Sequence, residues 1–82
     1  MIKAEIIRET EIEIPKMSET VKVVRITYRV KGYPRRTIWI DKDKYNLENI
    51  SKLILEDFNR TFNQSETEIE VVGLEPTEST GE

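Results

Sequence analysis

The sequence predicts an α+β domain: a three-stranded antiparallel meander, one helix packed on one face of the sheet, and a short fourth strand after the helix. Two patterns carry this prediction. Residues 2–40 contain three segments in which apolar and polar residues alternate, separated by turn residues. Residues 46–63 instead place apolar residues three and four positions apart, which is the spacing of a helix that buries one face.

The first strand is expected over residues 2–14, where even positions are mostly apolar and odd positions mostly charged. One face of this strand should therefore be buried. Arg8 and Thr10 interrupt the apolar face, which indicates a bulge or a bend. Residues 15–20 then form a polar connection to the next strand.

Two further strands are expected at residues 21–31 and 35–40, joined by a turn at Gly32-Tyr33-Pro34. Their even positions are mainly aliphatic and should face inward, whereas the arginines of the second strand fall at odd positions. Apolar faces stay together if paired residue numbers sum to 36 in the first hairpin and to 66 in the second. In that register Glu5 lies opposite Lys31, Glu9 opposite Thr27 and Glu11 opposite Arg25, so these glutamates would partly neutralise the basic residues of the second strand.

Asn46 is a good helix N-cap, and the helix should end at about Asn63. Residues 67–74 alternate again and predict a fourth strand. It would lie parallel to the first or the third strand, and a right-handed crossover favours a place beside the first. The expected domain covers residues 1–74, followed by a disordered acidic tail at residues 75–82. The apolar stripe of the helix consists of Leu47, Ile50, Leu53, Ile54, Phe58 and Phe62.

The composition excludes several kinds of chemistry. The 82 residues contain neither cysteine nor histidine, so disulfides, thiol catalysis and zinc finger sites are absent, along with the commonest general base. Asp41 and Asp43 alternate with lysines in a connection, which favours a solvated loop over a carboxylate pair for catalysis. We therefore expect no enzyme activity, no cofactor, no metal and no small-molecule substrate. The chain also has no glycine-rich phosphate loop.

Two weaker indications concern the setting of the protein. No signal peptide and no run of 18 apolar residues is present, so we expect a soluble cytoplasmic protein without a membrane contact. Charged residues make up 35% of the chain and isoleucine outnumbers leucine, which points to a thermophilic source.

Charge is sorted along the chain. Residues 20–44 carry a balance of +6, residues 45–82 carry −7 and residues 1–19 carry −2, within a total of −3. The basic segment admits two interpretations. It could hold an acidic protein or a polyanion, or it could be the positive half of a salt-bridge ladder with the glutamates of the first strand.

Trp39 is the candidate centre of a recognition surface, because alternation places it on the outer face of the sheet. Ile7 and Val23 fall on that face too, and Trp39 could simply cover them. We expect a protein-interaction module, homodimers included, that uses the outer sheet face or an open strand edge. The alternative is a nucleic-acid-binding domain using the basic second and third strands and their turn. The candidate surface is Trp39, Arg25, Arg29, Tyr33, Arg35 and Arg36.

The order of three strands followed by a helix is similar to that of the arm-binding domains of phage integrases, without a shared motif. This similarity of element order implies DNA binding as the activity of the alternative.

Overall fold

The computed structural model describes residues 1–74; residues 75–82, where the acidic tail is expected, lie outside the described residues. The described strands form one sheet in the order β3-β2-β1-β4. The first three strands are an antiparallel meander, and β4 runs parallel to β1. This confirms the predicted α+β fold and the place of the fourth strand. The elements are β1 (Ile2–Lys16), β2 (Glu19–Val30), β3 (Arg36–Asp41), a 3₁₀ turn (Lys42–Lys44), α1 (Leu47–Phe62) and β4 (Ile69–Val72).

Helix α1 covers one side of the sheet, called here the inner face. The Asn46 side chain caps the helix by accepting a hydrogen bond of 2.8 Å from the Asn49 amide. At the other end, Asn63 adopts the left-handed conformation that commonly terminates helices. Most of the predicted apolar stripe contacts the core, but Leu47 is 56% exposed and lies outside it. The buried core consists of Ile2, Ala4, Val24, Ile26, Tyr28, Val30, Ile38, Ile40, Ile50, Ile54 and Phe58.

A bulge at Ile7 changes which residues of β1 face the core. Ile6 pairs with Tyr28, but Arg8 pairs with Thr27, so Ile7 has no partner across the ladder. The predicted bulge is present, yet the predicted pairing to a sum of 36 is wrong, because the observed sums are 34 before the bulge and 35 after it. One extra residue reverses the alternation. Even residues of β1 therefore face the core only before the bulge.

The second hairpin is also shifted from its predicted pairing. Thr27 pairs with Thr37, a sum of 64 where 66 was expected. A shift of two residues leaves every side chain on its predicted face. The longer connection that results allows Tyr33 to pack its ring against Phe58 and Phe62, with both pairs of ring centroids 4.8 Å apart. The turn is thereby fixed to the last turns of α1.

Beyond the bulge, the glutamates of β1 face inward and contact the segment that follows β3. Glu11 accepts a hydrogen bond of 2.6 Å from the Lys42 ammonium, which lowers the pKa of Glu11 below its ordinary value. Glu9 accepts a hydrogen bond from the hydroxyl of Tyr45. These contacts attach the far half of β1 to the 3₁₀ turn and the chain that leads into α1.

The turn between β1 and β2 is only two residues long, Met17 and Ser18, because Lys16 already pairs with Glu19. Met17 has a φ of 50°, which is unfavourable for a residue with a side chain. A two-residue turn with positive φ at its first central residue usually has glycine there. We expect Met17→Gly to raise the free energy of unfolding by up to about 1 kcal/mol in urea titrations. Ser18→Gly is the control: it should give no gain, because Ser18 is not among the residues with positive φ.

A candidate docking surface on the outer sheet face

The face of the sheet opposite α1 carries an apolar cluster that no other element of the described chain covers. Val23 is only 8% exposed but does not belong to the core cluster. Val23 pairs with Ile12, and the next pair on the same face of the sheet is Ile14 and Val21. Since directly paired residues share a face, these side chains shield one another on the outer side. We call this set the outer patch: Ile12, Ile14, Val21, Val23 and Trp39.

Trp39 lies at the border of the outer patch on edge strand β3. Its partner across the ladder is Arg25, whose guanidinium carbon is 5.9 Å from the centre of the indole ring. The contact is a cation–π pair, and it leaves 51% of Trp39 exposed. The structure thus confirms that Trp39 and Val23 share the outer face. It also shows that half of the indole is available to a partner.

The sequence did not reveal the isoleucines of the outer patch. Ile12 and Ile14 were expected on the inner face, and the bulge at Ile7 transfers both to the outer one. Ile7, expected beside Val23 and Trp39, is the unpaired bulge residue. The available signal was the polar pair Arg8 and Thr10, which marks the point at which the alternation changes.

On the outer face, the predicted neutralisation of the basic segment holds for one pair only, whereas Glu11 binds Lys42 of the same segment on the inner face. Arg29 donates a hydrogen bond of 3.1 Å to Glu5. Arg25 instead lies across from Thr10, and Arg8 lies across from Thr27. The expectation that Glu9 and Glu11 offset this charge is wrong, because the bulge places both on the inner face. Two arginines on the outer face therefore have no acid across the ladder: Arg25, beside Trp39, and Arg8, one pair further from the outer patch.

The remaining candidate residues do not join this surface. Tyr33 packs against α1, and Arg36 points to the inner side, where it binds Asp57. Arg35 is exposed in the connection before β3. Of the six candidates, Trp39, Arg25 and Arg29 lie together on the outer face.

Asp57 forms a polar network between α1 and the sheet that the sequence did not indicate. It is 5% exposed and accepts hydrogen bonds from the Tyr28 hydroxyl at 2.6 Å and from the Arg36 guanidinium at 3.1 and 3.0 Å. Arg60 lies 3.5 Å away. Burial alone raises the pKa of Asp57, but the hydrogen bonds from Arg36 and Tyr28 outweigh it, so the net pKa is below the ordinary value. Both carboxylate oxygens are engaged, and the network is structural.

Among residues 1–74, no group of three or more His, Cys, Asp or Glu side chains is placed to hold a metal ion. No helix in the same range combines the length and apolar character needed to cross a membrane. A groove of about 430 Å³ runs between β3 and α1, lined by Arg36, Thr37, Ile38, Trp39, Leu53, Glu56, Asp57 and Arg60.

Compared with protein-family models, curated proteins and solved structures, the chain matches none. We therefore infer the function from the geometry of the outer face.

Proposed function

We propose that this chain is a protein-interaction module that binds a partner through the outer patch. The observation that carries the proposal is an uncovered apolar cluster, centred on Val23 and the half-exposed Trp39, on the side of the sheet opposite the helix. Contiguous apolar surface with an aromatic side chain and arginines at its border is typical of binding surfaces.

The flanking charges indicate the chemistry of the partner. Arg25 adjoins the outer patch and Arg8 lies one pair beyond it on the same face, both without an acid across the ladder, and Arg25 is oriented by its contact with Trp39. A partner surface with apolar side chains at its centre and carboxylates at its border would complement both features. Under this proposal the protein acts in the cytoplasm. It carries out no catalytic step, since the chain has no histidine or cysteine.

Selection from a randomised peptide library displayed on phage tests this proposal. We expect the selected peptides to be rich in acidic and large apolar residues. The double variant Arg8→Glu/Arg25→Glu should bind them at least about tenfold more weakly than the unchanged protein, as measured by fluorescence anisotropy. Lys44→Glu/Lys52→Glu is the matched control: it changes the net charge equally at two exposed positions away from the outer face. Equal loss in both double variants, or no selected peptide, would contradict the proposal.

One observation favours nucleic-acid binding as the second candidate. The bulge removes Glu9 and Glu11 from the outer face, so Arg8 and Arg25 present a stronger positive field than the predicted register allowed. Binding of a short duplex or single strand that weakens steeply with added salt, and is lost in Arg8→Glu/Arg25→Glu, would support this candidate. Absence of binding at low salt would remove it.

A further inference from the structure

We infer that the chain forms a homodimer in which the free edges of two β3 strands pair antiparallel about a twofold axis, giving one continuous eight-stranded sheet. This inference goes beyond the proposed function, because it concerns the edge of the sheet and names a second copy of this chain as the occupant. It depends on three features: the backbone groups that β3 directs outward, the contrast between the β3 edge and the other open strand edges, and the space beside α1.

The hydrogen-bond alternation identifies the outward groups of β3. The two-residue turn makes Lys16 and Glu19 the hydrogen-bonded closing pair of the first hairpin. Hydrogen-bonded and non-hydrogen-bonded pairs then alternate along the ladder, so odd residues of β2 bond to β1 and even residues bond to β3. Pro15 agrees with this assignment, because it falls in a non-hydrogen-bonded pair, where no N–H is needed.

In β3, it follows that residues opposite odd positions of β2 direct their N–H and C=O groups to the free edge. These residues are Thr37, Trp39 and Asp41. The Oγ1 atoms of Thr27 and Thr37 are 3.2 Å apart, consistent with the closer approach of side chains in a non-hydrogen-bonded pair. No strand within residues 1–74 pairs with this edge.

The open strand edges of the described chain differ in how they are protected. β4, the last strand on one side of the sheet, is only four residues long and carries Glu70. β1 pairs with β4 only over Ile2–Glu5, so the remainder of β1 is also open. That edge carries the bulge at Ile7, glutamates on the inner face and Pro15 near its end. These are devices by which proteins keep strand edges from pairing. Residues 37–40 of β3 are Thr-Ile-Trp-Ile, with no charge, no proline and no bulge. The unprotected edge is the one built to pair.

The helix leaves room for a strand beside β3. The groove of about 430 Å³ between β3 and α1 has Ile38 and Leu53 in its lining. A twofold axis normal to the sheet keeps faces together, so Trp39 can lie opposite Trp39 of the second copy, with Ile38 opposite Ile40. The first pair extends the outer patch across the axis, and the second extends the core layer. A domain of this size without disulfides commonly gains stability from such a partner.

Amide hydrogen exchange and sedimentation test the dimer with the unmodified protein. We expect sedimentation to show a monomer–dimer equilibrium with rising concentration. The amides of Thr37 and Trp39 should exchange about tenfold or more slowly where the dimer prevails than in dilute solution. The amides of Glu11 and Glu13, which by the same alternation face the free edge of β1, are internal controls and should exchange at the same rate at every concentration.

A pair of proline variants gives an independent test. Thr37→Pro removes an outward donor of β3 and should leave a folded monomer. Glu13→Pro removes an outward donor from the free edge of β1 and should remain dimeric. The inference is wrong if the unchanged protein stays monomeric at the highest concentration reached, or if dimerisation leaves the exchange of Thr37 and Trp39 unaltered. A dimer dissociated by Arg8→Glu/Arg25→Glu but not by Thr37→Pro would overturn the edge pairing and leave the outer patch as the interface. If the unchanged protein is a monomer but still binds the selected peptides, the dimer inference is wrong and the proposed function of the outer patch stands.

Discussion

Replacing Asp57 by alanine should lower the free energy of unfolding by about 3 kcal/mol in urea titrations. The substitution removes the acceptor shared by the Tyr28 hydroxyl and the Arg36 guanidinium, and Tyr28 is buried. Tyr28→Phe should cost less, about 1 kcal/mol, because it removes one donor and leaves the pair of Asp57 with Arg36 intact. Asp43→Ala is the control at an exposed acid and should change stability by less than about 0.5 kcal/mol. Equal effects at Asp57 and Asp43 would contradict this account.

The same carboxylate makes stability depend on pH in a defined direction. The pKa of Asp57 is lower in the folded protein than its ordinary value of 3.8, so the folded state favours the charged form. The contribution of Asp57 to the free energy of unfolding is complete at pH values above its pKa in the unfolded chain, which includes neutral pH. This contribution is lost as the pH falls below about 4 and passes through the pKa of Asp57 in the folded protein. Asp57→Asn should therefore unfold with a weaker acid dependence than the unchanged protein. Carboxylates titrate between about pH 5 and about pH 2. If the unchanged protein and Asp57→Asn lost the same stability over this range, Asp57 would not be the source of the acid dependence.

Two single-residue deletions in β1, at Ile7 and at Thr10, should differ in their effect on the free energy of unfolding. Removing Ile7 takes out the bulge and leaves Ile6 opposite Tyr28 and Arg8 opposite Thr27, so every side chain keeps its face. We expect this deletion to cost at most about 1 kcal/mol in free energy of unfolding, because the side chain that is lost is only partly buried. Circular dichroism and urea titration measure both the fold and its stability.

Removing Thr10 is the contrasting deletion. The chain can keep Ile12 opposite Val23 only by using up the bulge, and Arg8 then takes the inward place of Glu9 opposite the buried Ile26. This also breaks the hydrogen bond between Glu9 and Tyr45. We expect a loss of about 2 kcal/mol or more. Equal tolerance of the two deletions would show that the bulge does not set the faces of β1.

Local patterns were sufficient for the elements and for the topology. The capping side chain of Asn46, the helical spacing of Ile50 and Ile54, and the alternation in β2 each act within a few residues. They predicted the helix, the meander and the parallel fourth strand. The outward position of Trp39 followed from the same alternation.

The pairing registers and the network of Asp57 were beyond sequence patterns, because they depend on contacts between distant parts of the chain. The bulge at Ile7 reverses alternation for the rest of β1, and apolar Ile12 and Ile14 look alike on either face. Asp57 resembles any acid on the polar side of a helix until Arg36 and Tyr28 are placed beside it. The slip in the second hairpin left the faces unchanged and was invisible to periodicity.

The reversal at Ile7 also divides the evolutionary constraints on one strand. Ile2 and Ala4 belong to the packed core, whereas Ile12 and Ile14 lie on the outer face. We therefore expect replacements to be tolerated better at the second pair than at the first.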